Sequence, residues 1–149
     1  ATDTWTLGGD PDGETYEPRF TFHGFQYAEV SNYPGALTAD DIEGVVLHSD
    51  TPLVSSWQCS DPVLNRFYQN VVWTQRANFL EVPTDCPQRD ERFGWTGDAQ
   101  VYARAATYNA DVAAFFTKWM QDLRDAQTPE GAYPGMVRHN VETIVGVVK

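Results

Sequence analysis

The spacing of hydrophobic and polar positions changes once along the chain, near residue 60. In segment 20–30, Phe20 and Phe22 share one parity and Phe25 and Tyr27 the other. This is the two-residue alternation of a half-buried strand, with a phase change at His23-Gly24 of the kind a β-bulge produces. Segment 42–48 predicts a second strand, with Val45 and Leu47 on one face, and Asn32-Tyr33-Pro34-Gly35 predicts the turn before it. Ahead of both, Gly8-Gly9, Asp10-Pro11-Asp12-Gly13 and Pro18 predict irregular structure around at most one short strand. After Ser60-Asp61-Pro62 the period becomes helical. Ser60 or Asp61 is a suitable N-cap, Pro62 fits a first turn, and Leu64, Phe67, Tyr68, Val71 and Val72 continue to about Asn78. Val101, Ala105 and Tyr108 predict a second helix starting near Gly97-Asp98. Val112, Phe115, Phe116, Trp119, Met120 and Leu123 give a third a wide apolar stripe, ending around Gln127 to Gly131. The tail 141–149 is apolar without a clear period and reads as an edge strand or a piece of something longer. There is no internal repeat.

The 149 residues suffice for one globular domain or parts of two. A net charge of −11 disfavours nucleic acid and anionic membrane surfaces as partners. Twenty aromatic residues (five Trp, seven Tyr, eight Phe) serve equally well as core or as platforms for apolar sugar faces. Cys59 and Cys86 lack metal-ligand or dithiol spacing and read as buried thiols, although pairing stays open. Asp10-Pro11-Asp12-Gly13 resembles the start of a calcium loop but lacks its later liganding positions, so a plain turn is expected. No basic, apolar leader opens the chain, and no apolar run approaches the roughly 18 residues of a membrane span. The chain therefore reads as soluble, with compartment and oligomeric state left open.

Between the first two helices lies Pro83-Thr84-Asp85-Cys86-Pro87-Gln88-Arg89-Asp90-Glu91-Arg92-Phe93-Gly94-Trp95-Thr96-Gly97-Asp98. Its prolines and glycines predict a shaped loop, and such loops carry function more often than ladders do. Hydrolysis of a glycoside needs a proton donor at the leaving oxygen and stabilisation of a cationic sugar ring, and carboxyl groups supply both. Asp85, Asp90, Glu91 and Asp98 are candidates. Arg89 and Arg92 would keep others of the set charged, and Trp95 would exclude water and cover a sugar face. By charge pattern alone the same run also reads as a solvated salt-bridge cluster. A carboxylate metal site and a Cys86 nucleophile are weaker readings, since none of His23, His48 and His139 has the context of a ligand or base.

That sixteen-residue stretch resembles the signature of the α-L-rhamnosidases of glycoside hydrolase family 78. The resemblance extends to Gly24-Phe25-Gln26-Tyr27, where the family more often has Arg in place of Gln26. It also includes Cys59-Ser60-Asp61 with Leu64-Asn65, Trp73 and Asn78, and Tyr108-Asn109-Ala110-Asp111 through Phe116, Trp119 and Gln127. The resemblance implies a mixed fold, β then α: residues 1–58 as the end of a β-sandwich domain with its linker, and 59–149 as the first helices of an (α/α)6 toroid. A toroid needs upwards of roughly 200 residues, so the chain is expected to hold only part of one. The implied activity is inverting hydrolysis of terminal α-L-rhamnose from glycosides or polysaccharides, without cofactor or catalytic metal. Glu91 would be the general acid, a choice over Asp90 that the residues themselves leave open. Asp85 and Asp98 would bind sugar hydroxyls, Arg89 would hold a hydroxyl and orient Asp85, and Trp95 would pack on the sugar. The general base, a downstream Glu in the family, is expected beyond residue 149. A non-catalytic sugar-binding or inactive piece, and a toroid glycosidase of other specificity, are the alternatives.

Overall fold

The computed structural model describes residues 1–137. Helix α1 (Pro62–Asn78) starts as its sequence dictates: the Asp61 carboxylate accepts N–H bonds from Val63 (2.8 Å) and Leu64 (3.4 Å), and Pro62 occupies the first turn. A tight hairpin follows, β1 (Phe79–Leu80) against β2 (Val82–Pro83), with Glu81 at its tip in a left-handed conformation (φ 66°). The loop after it closes on β3 (Gly94–Trp95), which runs directly into α2 (Thr96–Asn109). Helix α3 (Ala113–Asp125) is followed by β4 (Met136–Val137), which returns to pair antiparallel with β3 in the register Gly94 to Val137 and Trp95 to Met136.

Two apolar clusters hold these elements. Phe79, Ala106, Ala110, Val112 and Phe115 form one, with the Phe79 and Phe115 rings stacked at 4.4 Å. Val82, Trp119 and Leu123 form the other, and Phe116 packs on both. The predicted stripe of α3 is thus the buried face, except that Met120 is exposed. Gly94 lies against this second cluster, and a Cβ there would come within 2.7 Å of Trp119 Cζ3. Gly94→Ala is expected to destabilise the chain by about 1–3 kcal/mol through overpacking, read as a lower denaturant midpoint.

Three sequence expectations are corrected. The predicted face of α2 is one residue out of phase: Val101 and Tyr108 are exposed, while Tyr102, Ala106 and Asn109 turn inward. The cause is polar. Gln75 Oε1 accepts bonds from Tyr102 Oη (3.1 Å) and Asn109 Nδ2 (3.0 Å), a network that an apolar pattern does not register. On α1, Val72 and Gln75 are the buried positions, whereas Leu64 and Phe67 face outward. Finally, segments 20–30 and 42–48 form no strand, and a single 3-10 turn, Ala39–Asp41, precedes α1. A strand needs a neighbouring row of N–H and C=O groups, and these segments find none among the described residues. Gly24, at the expected bulge, instead donates its N–H to the Pro87 carbonyl (3.0 Å).

The turn at 10–13 forms as expected: Gly13 N–H reaches the Asp10 carbonyl and Asp12 N–H its carboxylate. Glu14 accepts N–H bonds from Gly8, Gly9 and Asp10, and the one from Gly8 contributes most to holding its carboxyl below the usual range. Both cysteines are free thiols, Cys86 buried and Cys59 half-buried. The predicted tail 141–149 lies outside the described residues, as does His139. No described helix is long and apolar enough to cross a membrane.

Candidate active site

The hairpin and α1 launch the loop. Thr84, buried, donates its N–H to the Asn78 carbonyl (2.9 Å) and its hydroxyl to Asn78 oxygens (3.0 and 3.1 Å), fixing where the chain leaves β2. Asp85 then closes the loop on itself. Its N–H bonds the Phe93 carbonyl (3.1 Å) and its Oδ1 accepts the Phe93 N–H (3.0 Å), so residues eight apart are clamped from both sides. At the far shoulder, Thr96 bonds the Gly135 carbonyl through both N–H (3.0 Å) and hydroxyl (2.9 Å), and β4 secures β3.

Inside this frame four of the sequence candidates meet. Arg89 donates from one terminal nitrogen to Asp85 Oδ2 (3.1 Å) and from Nε to Glu91 Oε2 (2.9 Å), bridging two carboxylates. The other oxygen of Glu91, Oε1, accepts the Trp95 indole N–H (3.2 Å). Glu91, like Asp85 and unlike the exposed Asp90, is therefore a carboxylate that the loop holds by both oxygens. The Arg89 guanidinium is pushed further up from its already high value, first by the bond to Glu91 and also by the nearby Cys86, Glu91 and Asp85 side chains, with burial opposing.

Asp98 stands apart from that cluster. It lies exposed in the first turn of α2, where a negative charge complements the helix dipole. With Asp85 it lines a cavity of 490 Å³ between α1, α2 and the hairpin, whose walls also include Asn78, Thr84, Tyr102 and Phe116. Arg89, Glu91 and Trp95 are not among its lining residues. The structure thus divides the candidates into a hydrogen-bonded set on the loop and a cavity-facing pair, with Asp85 common to both.

For some residues here the sequence pattern gave no role. Asn78 and Thr84 anchor the loop, and Gln75, the half-buried Tyr102 and Asn109 form a polar floor beside the cavity; Asn78, Thr84 and Asn109 entered only through the family resemblance, and the pattern cue was the seven-residue spacing of Tyr102 and Asn109 on one helical face. Burial pushes the Tyr102 hydroxyl above the ordinary tyrosine range, with its bond to Asn109 acting in the opposite direction. Cys86 Sγ and carboxylate oxygens of Asp85 and Glu91 lie within 4.8 Å of one another, close enough to share a cation. Arg89 already brings a positive charge to both carboxylates of that group. His23 pairs with Asp3 (2.8 Å) and His48 Nδ1 with the Ser49 carbonyl (2.7 Å), which occupies both described histidines elsewhere.

Comparison with known proteins gives two domain matches. Residues 52–147 match the bacterial α-L-rhamnosidase six-hairpin glycosidase domain, and residues 1–48 match the bacterial α-L-rhamnosidase concanavalin-like domain. The chain is 53% identical over 133 residues to an α-L-rhamnosidase of Streptomyces avermitilis, covering 89% of this chain and 13% of that protein. The crystal structure of the Streptomyces avermitilis α-L-rhamnosidase complexed with L-rhamnose superposes with a TM-score of 0.82 at 50% identity, over 88% of this chain and 13% of that one. An α-L-rhamnosidase structure from Dictyoglumus thermophilum gives 0.78 at 46% identity, over 81% and 14%. The chain spans about 13% of the length of the curated relatives it matches.

Proposed function

Because the chain belongs to the bacterial α-L-rhamnosidase family, we propose that it forms part of a longer glycoside hydrolase that removes terminal α-L-rhamnose from glycosides or polysaccharides, with Glu91 as the general acid. The observation that carries this reading is the double hold on Glu91 by Arg89 and Trp95 within a loop clamped by Asp85. A general acid has to meet the leaving oxygen at a fixed point, and a carboxyl restrained at both oxygens loses little freedom when substrate arrives.

In the proposed reaction Arg89 lets go of Glu91 Oε2 as substrate enters, that oxygen takes up a proton, and the anomeric C–O bond breaks as the Glu91 carboxyl delivers the proton to the leaving oxygen. The positive charge that develops on the sugar ring is offset by Asp85 and Asp98, which also accept hydroxyl hydrogen bonds. Arg89 turns part of its fork from carboxylate to a sugar hydroxyl, and the Trp95 ring covers an apolar face of the sugar. Inversion requires a second carboxylate, about 6.5–9.5 Å from the first, to activate water from the opposite side. That base is supplied from outside these 149 residues. No step uses a metal or organic cofactor.

The architecture proposed for the whole follows the same division. Residues 1–58 are the end of a β-sandwich domain and its linker, and 59–149 the opening helices of an (α/α)6 toroid; the domain matches at 1–48 and 52–147 support this. Segments 20–30 and 42–48 would gain their ladders from the remainder of that sandwich.

The test is turnover by the full-length enzyme carrying this segment, across aryl α-glycosides of several sugars, with the product anomer followed by proton NMR. The rhamnoside is expected to be cleaved at least about 10²-fold faster than a sugar lacking a matching hydroxyl, since buried polar groups left unpaired discriminate strongly. The first-formed rhamnose is expected to be the β-anomer. Preference for another sugar, or a first-formed α-anomer, would overturn the reading.

A further inference from the structure

We propose that residues 22–24, which lie within the concanavalin-like match, act as a strap that positions the turn carrying Arg89 and Glu91 in the six-hairpin match. The proposal rests on the reading of Glu91 as the acid and concerns what holds it in place.

The contacts are at the two shoulders of that turn. On one side Gly24 donates its N–H to the Pro87 carbonyl at 3.0 Å, and the two backbones are so close that a Cβ on Gly24 would stand 2.9 Å from the Pro87 carbonyl carbon and ring. On the other side the Arg92 guanidinium lies over the Phe22 ring, 4.6 Å from its centroid. Arg92 Nε is buried without a hydrogen-bond partner among the described residues, so the ring face is a principal anchor for this end of the side chain. Between the shoulders, Gln88, Arg89 and Asp90 are exposed, and the turn has little packing of its own.

Backbone geometry makes the second shoulder consequential. Arg92 adopts φ 54°, a left-handed conformation uncommon outside glycine, so it persists only where its surroundings enforce it. Release of Arg92 from Phe22 lets this residue relax towards ordinary φ, and the carboxylate one position earlier swings with it. The Glu91 bonds to Arg89 and Trp95 would then lose their common geometry. Within the strap, His23 is tied to Asp3 at 2.8 Å, which joins it to the segment that precedes it.

A misplaced acid is felt most where the leaving group needs a proton. In the full-length enzyme, Phe22→Leu keeps apolar bulk but removes the ring, Phe22→Tyr keeps the ring, and Gly24→Ala forces the backbone away from Pro87. Phe22→Leu is expected to lower kcat on an alkyl α-L-rhamnoside by about 10-fold or more, and Gly24→Ala by about 10²-fold, the cost of ångström-scale misplacement. Both should affect an activated aryl rhamnoside far less, and Phe22→Tyr should restore the alkyl rate. Equal losses on both substrates, or none, overturn the strap. If Glu91→Gln shows the leaving-group preference while the strap variants do not, the strap fails and the acid stands. If Glu91→Gln itself lacks that preference, the acid reading fails and takes the strap's proposed role with it.

Discussion

Glu91→Gln in the full-length enzyme carrying this segment is expected to lower kcat on an alkyl α-L-rhamnoside by about two to four powers of ten, the usual worth of a positioned general acid. The substitution is close to isosteric, so the Arg89 and Trp95 contacts at 2.9 and 3.2 Å have an oxygen to address on at least one side. What disappears is the transferable proton. An activated aryl rhamnoside departs without one, so its rate should fall much less, and a plot of log kcat against leaving-group acidity should steepen in the variant. KM should change little, because the lost interaction belongs to the transition state. A variant that keeps most of its alkyl-rhamnoside activity would remove Glu91 from the role of acid.

Asp85 carries the second large effect, and here structure and chemistry must be separated. Its side chain is only 9% exposed, and it accepts both the Phe93 N–H and the Arg89 guanidinium. Asp85→Ala removes the charged acceptor of the Phe93 N–H bond and with it one side of the loop clamp, which is expected to cost about 1–3 kcal/mol in stability. The Arg89 pair itself adds little, because Arg89 is 55% exposed and solvent screens it. Asp85→Asn keeps an acceptor for Phe93 and should melt near the parent. Both variants are expected to lose about two to three powers of ten in kcat, since each removes a fixed negative charge from beside a developing cation. An active Asp85→Asn enzyme would reduce Asp85 to a loop clamp.

The parts of this fold that are legible in the sequence are those decided locally. Asp61-Pro62 starts α1 because capping and proline geometry act within one turn. The α3 stripe is legible because Phe115, Trp119 and Leu123 are apolar at the helical period and find a core. The face of α2 is misread because Tyr102 and Asn109 turn inward to hydrogen-bond Gln75, which belongs to another helix. The alternation in 20–30 reports a surface suited to a ladder, but a ladder needs a partner strand, and these residues have none within the chain described. For the site, residue types around 83–98 announce a charged loop, yet nothing local separates Glu91 from Asp90. In the structure Arg89 and Trp95 converge on Glu91 and leave Asp90 exposed, a difference made by contacts and not by residue type. The nearness of Gly24 to Pro87 and of Gly94 to Trp119 is long-range in the same sense.

The proposed placement of Glu91 at a rhamnoside's leaving oxygen is tested most directly by a crystal structure of the full-length Glu91→Gln enzyme with an intact alkyl α-L-rhamnoside bound. The expected result has the residue 91 side chain about 2.6–3.2 Å from the glycosidic oxygen, the distance proton transfer requires. Asp85 and Asp98 should be on the ring hydroxyls and the Trp95 ring against the sugar. A rhamnoside seated with another carboxyl at its glycosidic oxygen, and residue 91 out of reach, would contradict it.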